Sequence, residues 1–166
     1  MSIAAVDIVR ALDLEPHPEG GYYRETHRSE ELVMTARGPR AASSAILFLI
    51  TVDSPSRFHR LYSDELWLYH GGSRLELATL LPDGRAERII VASAALLVRD
   101  EELTPQAIVP RGAWQAARVL QGEGVDWTLV SCVVSPGFDF DDFELADAHE
   151  ISVAYPEEAE LITALT

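Results

Sequence analysis

At 166 residues the chain has the length of one domain, its 48% hydrophobic content excludes disorder, and its longest apolar run, Ala45–Ile50, is far too short to span a bilayer. A formal charge of -14 excludes nucleic acid and anionic membrane as general partners. All 13 basic residues are arginine, which excludes lysine Schiff bases, pyridoxal linkage and a Walker-type phosphate loop. The opening M-S-I-A-A-V-D-I-V-R lacks the basic leader of a secretory signal, so a cytoplasmic location is expected. Cys132 is the single cysteine and sits in an apolar run, as an inert buried thiol does.

Met1–Leu14 carries apolar residues at helical spacing and predicts an amphipathic helix with Ser2 as its N-cap. Glu15–Gly21, with two prolines and two glycines, must be a loop. Tyr22–His27 reads as a strand with Tyr23, Glu25 and His27 on one face and Arg24 on the other. Polar atoms on both faces suit a solvated edge or the wall of a site, where Tyr23, Arg24 and Glu25 would meet a ligand. Leu32–Thr35 is a short strand, Ala36–Ala42 a turn and Ser43–Val52 a strand interior to a sheet.

Ser56–Gly72 reads S-R-F-H-R-L-Y-S-D-E-L-W-L-Y-H-G-G. Its runs Arg57–Tyr62 and Glu65–His70 flank Ser63-Asp64 and predict a hairpin whose one face bears His59, Leu61, Glu65, Trp67 and Tyr69. An imidazole, a carboxylate and two amphipathic aromatics on one surface are what a binding pocket needs. Trp67 reads equally as plain core, and His59 with Glu65 as a buried structural pair.

Arg74–Leu80 and Ala86–Val91 are strands joined by the turn Pro82-Asp83-Gly84, and Ser93–Thr104 fits a helical turn or a strand. Gln106–Val109 and Ala113–Val119 follow as strands. The second places Ala113, Gln115 and Ala117 on one face, suiting a cavity floor, and turns Trp114 toward another strand, a helix or a subunit. Gln121–Gly124 turns into the strand Val125–Ser135, Phe138, Phe140 and Phe143 cap one end, and Pro156–Leu165 closes the chain as a helix. Short strands at regular spacing argue for an antiparallel sandwich or barrel.

His59, Glu65 and Gly72 fall on the pattern H-x-H-x(3,4)-E-x(6)-G, with Leu61 in place of the second histidine. Pro110-Arg111-Gly112-Ala113-Trp114-Gln115 echoes P-x-G-x(2)-H, with Gln115 in place of the histidine. Together with E-G-G-Y-Y-R-E-T (Glu19–Thr26), V-P-R-G-A-W-Q-A-A and S-P-G-F-D-F-D-D-F, these strings resemble the uncharacterised fifth family of the cupin superfamily over nearly the whole chain. The resemblance implies a single mainly all-β domain: a jelly roll over 22–143, a helix over 1–14, a second over 156–165, and pairing into a homodimer. It leaves three chemistries open. One is a metal-dependent enzyme holding a divalent transition metal on His59, Glu65 and Gln115. Another is a metal-free isomerase or epimerase with His59 as base, Glu65 as relay and Tyr69, or Tyr23 or Tyr62, as acid. The third is a binding or storage-like module in which Arg24, Trp67 and Gln115 recognise a small polar, carbohydrate-like molecule.

Overall fold

The computed structural model describes residues 3–121 and 124–166. The expected N-cap Ser2 and part of the expected 121–124 turn lie outside them. Helix α1 spans Ala5–Leu12 and is followed by β1 (Glu15–Pro16), β2 (Tyr22–Arg28), β3 (Leu32–Thr35), β4 (Gly38–Ala41) and β5 (Ser44–Thr51). Next come β6 (Ser56–Leu61), β7 (Asp64–Gly72), β8 (Leu75–Leu80), β9 (Ala86–Val91), β10 (Leu103–Thr104), β11 (Gln106–Val109), β12 (Trp114–Val119) and β13 (Trp127–Ser135). The chain ends with β14 (Phe143–Leu145), α2 (Ala148–Ala154) and α3 (Ala159–Ala164).

Two six-stranded sheets face each other as a jelly-roll sandwich, ordered β1-β2-β5-β13-β7-β11 and β10-β9-β8-β12-β6-β14, and β3 pairs with β4 in a small separate hairpin. Apolar alternation fills the space between them: Phe48, Ile50 and Trp67 from the first sheet meet Leu75, Leu77, Val91 and Ala117 from the second. The outer face of the second sheet is covered by the C-terminal helices. Ala78, Leu80 and Ala116 pack there against Ile151, Leu161, Ile162 and Leu165, with Trp114 beside them. Every residue of β8 is therefore buried, whichever face it lies on.

The Ser56–Gly72 segment is not a hairpin. Strand β6 pairs with β12 and β14, whereas β7 pairs with β13 and β11, so the chain crosses between sheets at Tyr62-Ser63. Ser63-Asp64 lacks the glycine or asparagine that a tight two-residue hairpin turn favours. Asp64 instead opens β7 and accepts a hydrogen bond from the Arg111 amide at 2.8 Å. His59 and Glu65 thus approach the interior from opposite sheets.

Three further differences concern short elements. Glu15–Pro16, expected within a loop, pairs as β1 with Tyr22 and Tyr23 of β2. The 36–42 stretch contains strand β4, and Arg37 and Arg40 from this hairpin both donate to Asp142, fastening it to the 140–142 helical turn. Helix α2 has Asp147 as its N-cap, accepting from the amides of His149 and Glu150 at 2.9 and 3.0 Å.

Candidate functional site

The loop between β1 and β2 carries the chain into the mouth of the sandwich. It is folded by Gly20 and Gly21, both at positive φ. A β-carbon on Gly20 would lie 2.0 Å from the Pro55 carbonyl oxygen, and one on Gly21 would meet the Phe48 ring and the Leu49 carbonyl. Only glycines let the loop sit this close to β5 and the 53–55 turn. Arg57 then clamps it, donating through its backbone amide to the Glu19 carbonyl at 2.9 Å and through Nη2 to the Pro18 carbonyl at 2.6 Å.

The consequence is a carboxyl group delivered to the interior. Glu19 is 5% exposed, accepts from Ser56 Oγ at 2.7 Å and places Oε2 3.3 Å from His59 Nε2 and 3.4 Å from His17 Nδ1. His59, 2% exposed, has Nδ1 2.8 Å from the Arg57 carbonyl oxygen. That carbonyl can only accept, so Nδ1 carries the proton and Nε2 faces Glu19. His17 accepts from the Glu19 amide through Nδ1 at 3.3 Å, and its ring lies edge-on to Tyr23, Phe48 and Phe143.

Glu65, 6% exposed, ends a second polar chain. The Trp67 indole donates to Gln115 Oε1 at 3.0 Å, and Gln115 Nε2 donates to Glu65 Oε2 at 2.5 Å. The Cys132 thiol also bonds to Glu65.

Burial sets the protonation of this cluster. It pushes Glu19 up to about 8, against the opposing pull of Ser56 and Arg57. Glu65 is pushed up to about 7 by burial, with Glu19 adding to the rise and His59, Gln115 and Cys132 opposing it. His17 is pulled down to about 4 by burial and by neighbouring His59. His59 is also lowered by burial, partly countered by Glu65 and the Arg57 carbonyl. Near neutral pH, Glu19 is a carboxylic acid beside a neutral imidazole, while Glu65 is poised between its two forms. The Cys132 thiol is held well above its ordinary value, mainly by burial, and stays protonated.

Glu19, Glu65, His17 and Cys132 open into a cavity of about 500 Å³ walled by Tyr23, Ile46, Phe48, Val134, Phe138 and Phe140. Its mouth carries Asp13, Glu15, Arg24, Glu25, Arg28 and Asp139. Arg28 is committed to Glu25, at 2.6 and 3.0 Å, whereas Arg24 makes no hydrogen bond or ion pair among the described residues.

Of the residues singled out from sequence, Glu65, Tyr23, Arg24 and Glu25 line the cavity. His59 lies behind Glu19 and reaches the cavity only through it. Trp67 and Gln115 are buried beneath Glu65, and the space left by Ala113 and Ala117 belongs to the core around the indole. Tyr69 is not at the cavity. Its hydroxyl bonds to the Gly72 carbonyl, and four strand residues place it roughly 13 Å along β7 from Glu65. Tyr62 is exposed, with Arg37 over its ring. His17, Glu19, Arg28 and Ser56 were not singled out, although the E-G-G string contains Glu19.

The family model described as Cupin superfamily (DUF985) matches residues 6–146. An uncharacterized protein of Saccharomyces cerevisiae, YML079W, is 32% identical over 148 residues, covering 81% of this chain and 71% of the yeast protein. A hypothetical protein from Leishmania major superimposes with a TM-score of 0.88 at 37% identity, over 99% of both chains. Protein SO0799 from Shewanella oneidensis gives 0.85 at 34% identity, over 99% of this chain and 98% of that one. An oxalate decarboxylase from Bacillus subtilis gives 0.57 at 14% identity, over 93% of this chain and 38% of that one, which shows the shared fold alone. The chain belongs to this family of the cupin superfamily.

The positions at which cupins hold a metal do not fit one here. Leu61 offers no donor, Gln115 is engaged at both ends of its amide by Trp67 and Glu65, and His59 turns Nδ1 to a carbonyl and Nε2 to Glu19. Among the described residues, no group of three or more His, Cys, Asp and Glu is disposed to hold a metal ion. Likewise, no described helix is long and apolar enough to cross a membrane.

Proposed function

We propose that this cupin binds a small polar, carbohydrate-like molecule in the cavity and moves a proton on it without a metal, as an isomerase or epimerase does. The observation that carries this reading is the pair of buried carboxyls, Glu19 and Glu65, opening into one cavity with His59 behind Glu19. A base near its midpoint at neutral pH and an acid still holding its proton are the two partners that removal and return of a proton require. Glu65 is the base. Glu19 is the acid, with His59 Nε2 positioned to share its proton and stabilise its ionised form. Tyr23 supplies a phenol at the wall, and uncommitted Arg24 meets an anionic or hydroxyl-bearing end of the ligand at the mouth.

The test is a thermal-shift screen of sugars, sugar acids and hydroxy acids, followed by incubation of each hit in D2O. The proposal requires deuterium to enter the hit with wild-type protein and to be lost with Glu65→Gln and Glu19→Gln. A hit that binds wild-type protein tightly but takes up no deuterium would overturn the catalytic part.

A second reading, binding without turnover, is favoured by the way Gln115 and Ser56 satisfy the two carboxyls internally. Under it, Arg24→Ala weakens affinity and neither glutamate matters to any exchange.

A further inference from the structure

The charges around the cavity are unbalanced. Once Arg28 is committed to Glu25, and with Asp139 4.0 Å from Arg40, Arg24 is the cation left to face Asp13 and Glu15 at the mouth. At the floor, Arg57 acts on Glu19, but burial outweighs its pull. His17 is neutral near neutral pH, and the Arg57 guanidinium is spent on the loop carbonyls of Pro18 and Glu19. Between mouth and floor the wall presents the rings of Tyr23, Phe48, Phe138 and Phe140. Aromatic faces attract a positive charge and tolerate an anion poorly. Carboxyls buried without a counter-charge keep their protons, and a ligand cation supplies the charge that burial withholds.

We propose that the molecule held here carries a protonated amine, seated against Glu65 and Glu19 within the rings of Tyr23, Phe48 and Phe138. This rests on the functional reading above and narrows its substrate class to amine-bearing polar molecules, of which amino sugars and amino acids are examples. The ammonium needs one negative charge, which Glu65, near its midpoint at neutral pH, supplies, while Glu19 keeps the proton that its role as acid requires. Binding an ammonium therefore expels a proton into solvent wherever Glu65 still holds one.

Three probes of matched size separate charge from shape: benzylamine, benzyl alcohol and benzoate. Calorimetry near neutral pH should rank benzylamine about tenfold or more above benzyl alcohol, with benzoate weakest. Titrations near pH 7 in two buffers of different protonation enthalpy should show about half a proton released per benzylamine bound, since Glu65 is about half protonated there. Benzylamine affinity should rise from about pH 6 to about pH 8 as the floor ionises. The double variant Glu19→Gln/Glu65→Gln should lose the amine preference while still binding benzyl alcohol. If that variant does not fold, proton release by the wild type decides the matter. Equal or tighter binding of benzoate, no proton release, or no occupancy by any of the three overturns the proposal. Deuterium exchange on a neutral or anionic hit that depends on Glu65 would leave the functional reading standing while this inference falls.

Discussion

Nε2 of His59 lies 3.3 Å from Oε2 of Glu19, while Nδ1 of the same ring is 2.8 Å from the carbonyl oxygen of Arg57. With the tautomer fixed at Nδ1, the Glu19–His59 contact holds one proton, and burial keeps it on the carboxyl near neutral pH. Glu19 and Glu65 therefore bind protons in the folded state that they release on unfolding, so the stability they contribute is present below about pH 4.5 and lost as pH rises through about 7 and 8. His17 acts oppositely: lowered to about 4, it makes stability rise with pH between that value and its unfolded value of 6.5. Above pH 6.5 only the carboxyl effect remains. Denaturant melts should show stability falling by roughly 2–3 kcal/mol between pH 6.5 and 8. Glu19→Gln should flatten that slope, and a rise in stability across the window would contradict the assignment.

The glycine pair makes a structural prediction. Gly20→Ala puts a methyl group onto the Pro55 carbonyl, whereas Gly84→Ala, also at positive φ, meets nothing within 4 Å. Gly84→Ala should cost about 1 kcal/mol through backbone strain alone, and Gly20→Ala more than about 2 kcal/mol. Chemical denaturation of the two variants measures the difference, which is the cost of moving the loop that carries Glu19.

Gln115→Leu leaves the buried Trp67 N–H without a partner and the Glu65 carboxyl with the Cys132 thiol and the cavity. A loss of about 1–3 kcal/mol is expected, since one buried donor becomes unsatisfied and the carboxyl loses one of its two hydrogen bonds. The Glu65 carboxyl should also titrate higher, because the amide that favoured its ionised form is gone. Unchanged stability and titration would mean that the polar chain is incidental.

Elemental analysis of untagged protein should find transition metal well below one equivalent, because Leu61 and the engaged Gln115 leave too few donors. Stoichiometric metal that disappears in His59→Ala would reverse the reading of the floor.

Light scattering should report a homodimer. Strand β11 bonds on one side to β7 and presents Ile108, 57% exposed, at the edge of its sheet. Ile108→Lys should shift the equilibrium toward monomer, and a monomeric wild type would remove the claim.

Most of the fold was legible in sequence because alternation and turn residues are local signals. Ala86–Val91 and Gln106–Val109 have the predicted bounds, and Trp114 faces the C-terminal helices, as its position opposite Gln115 required. The crossing from β6 to β7 was not legible, since alternation tells which face a residue takes but not which sheet its strand joins. The same limit affects Tyr69, which keeps the inward phase of Glu65 yet lies too far along β7. Glu19 escaped because a Pro/Gly loop has no period, and its meeting with His59 spans forty residues of sequence. Helix α2 carried a readable sign in Asp147 followed by Glu150, an N-cap with an acid three residues on.

The most direct test is a carbon-13 NMR titration of glutamate-labelled protein, with Glu19→Gln and Glu65→Gln identifying the two carboxyl resonances. The account predicts that Glu19 titrates near 8 and Glu65 near 7, each shifted by His59→Ala. Both carboxyls titrating near the ordinary glutamate value of 4.5 would show an ionised, solvated floor, and the proton-holding site described here would not exist.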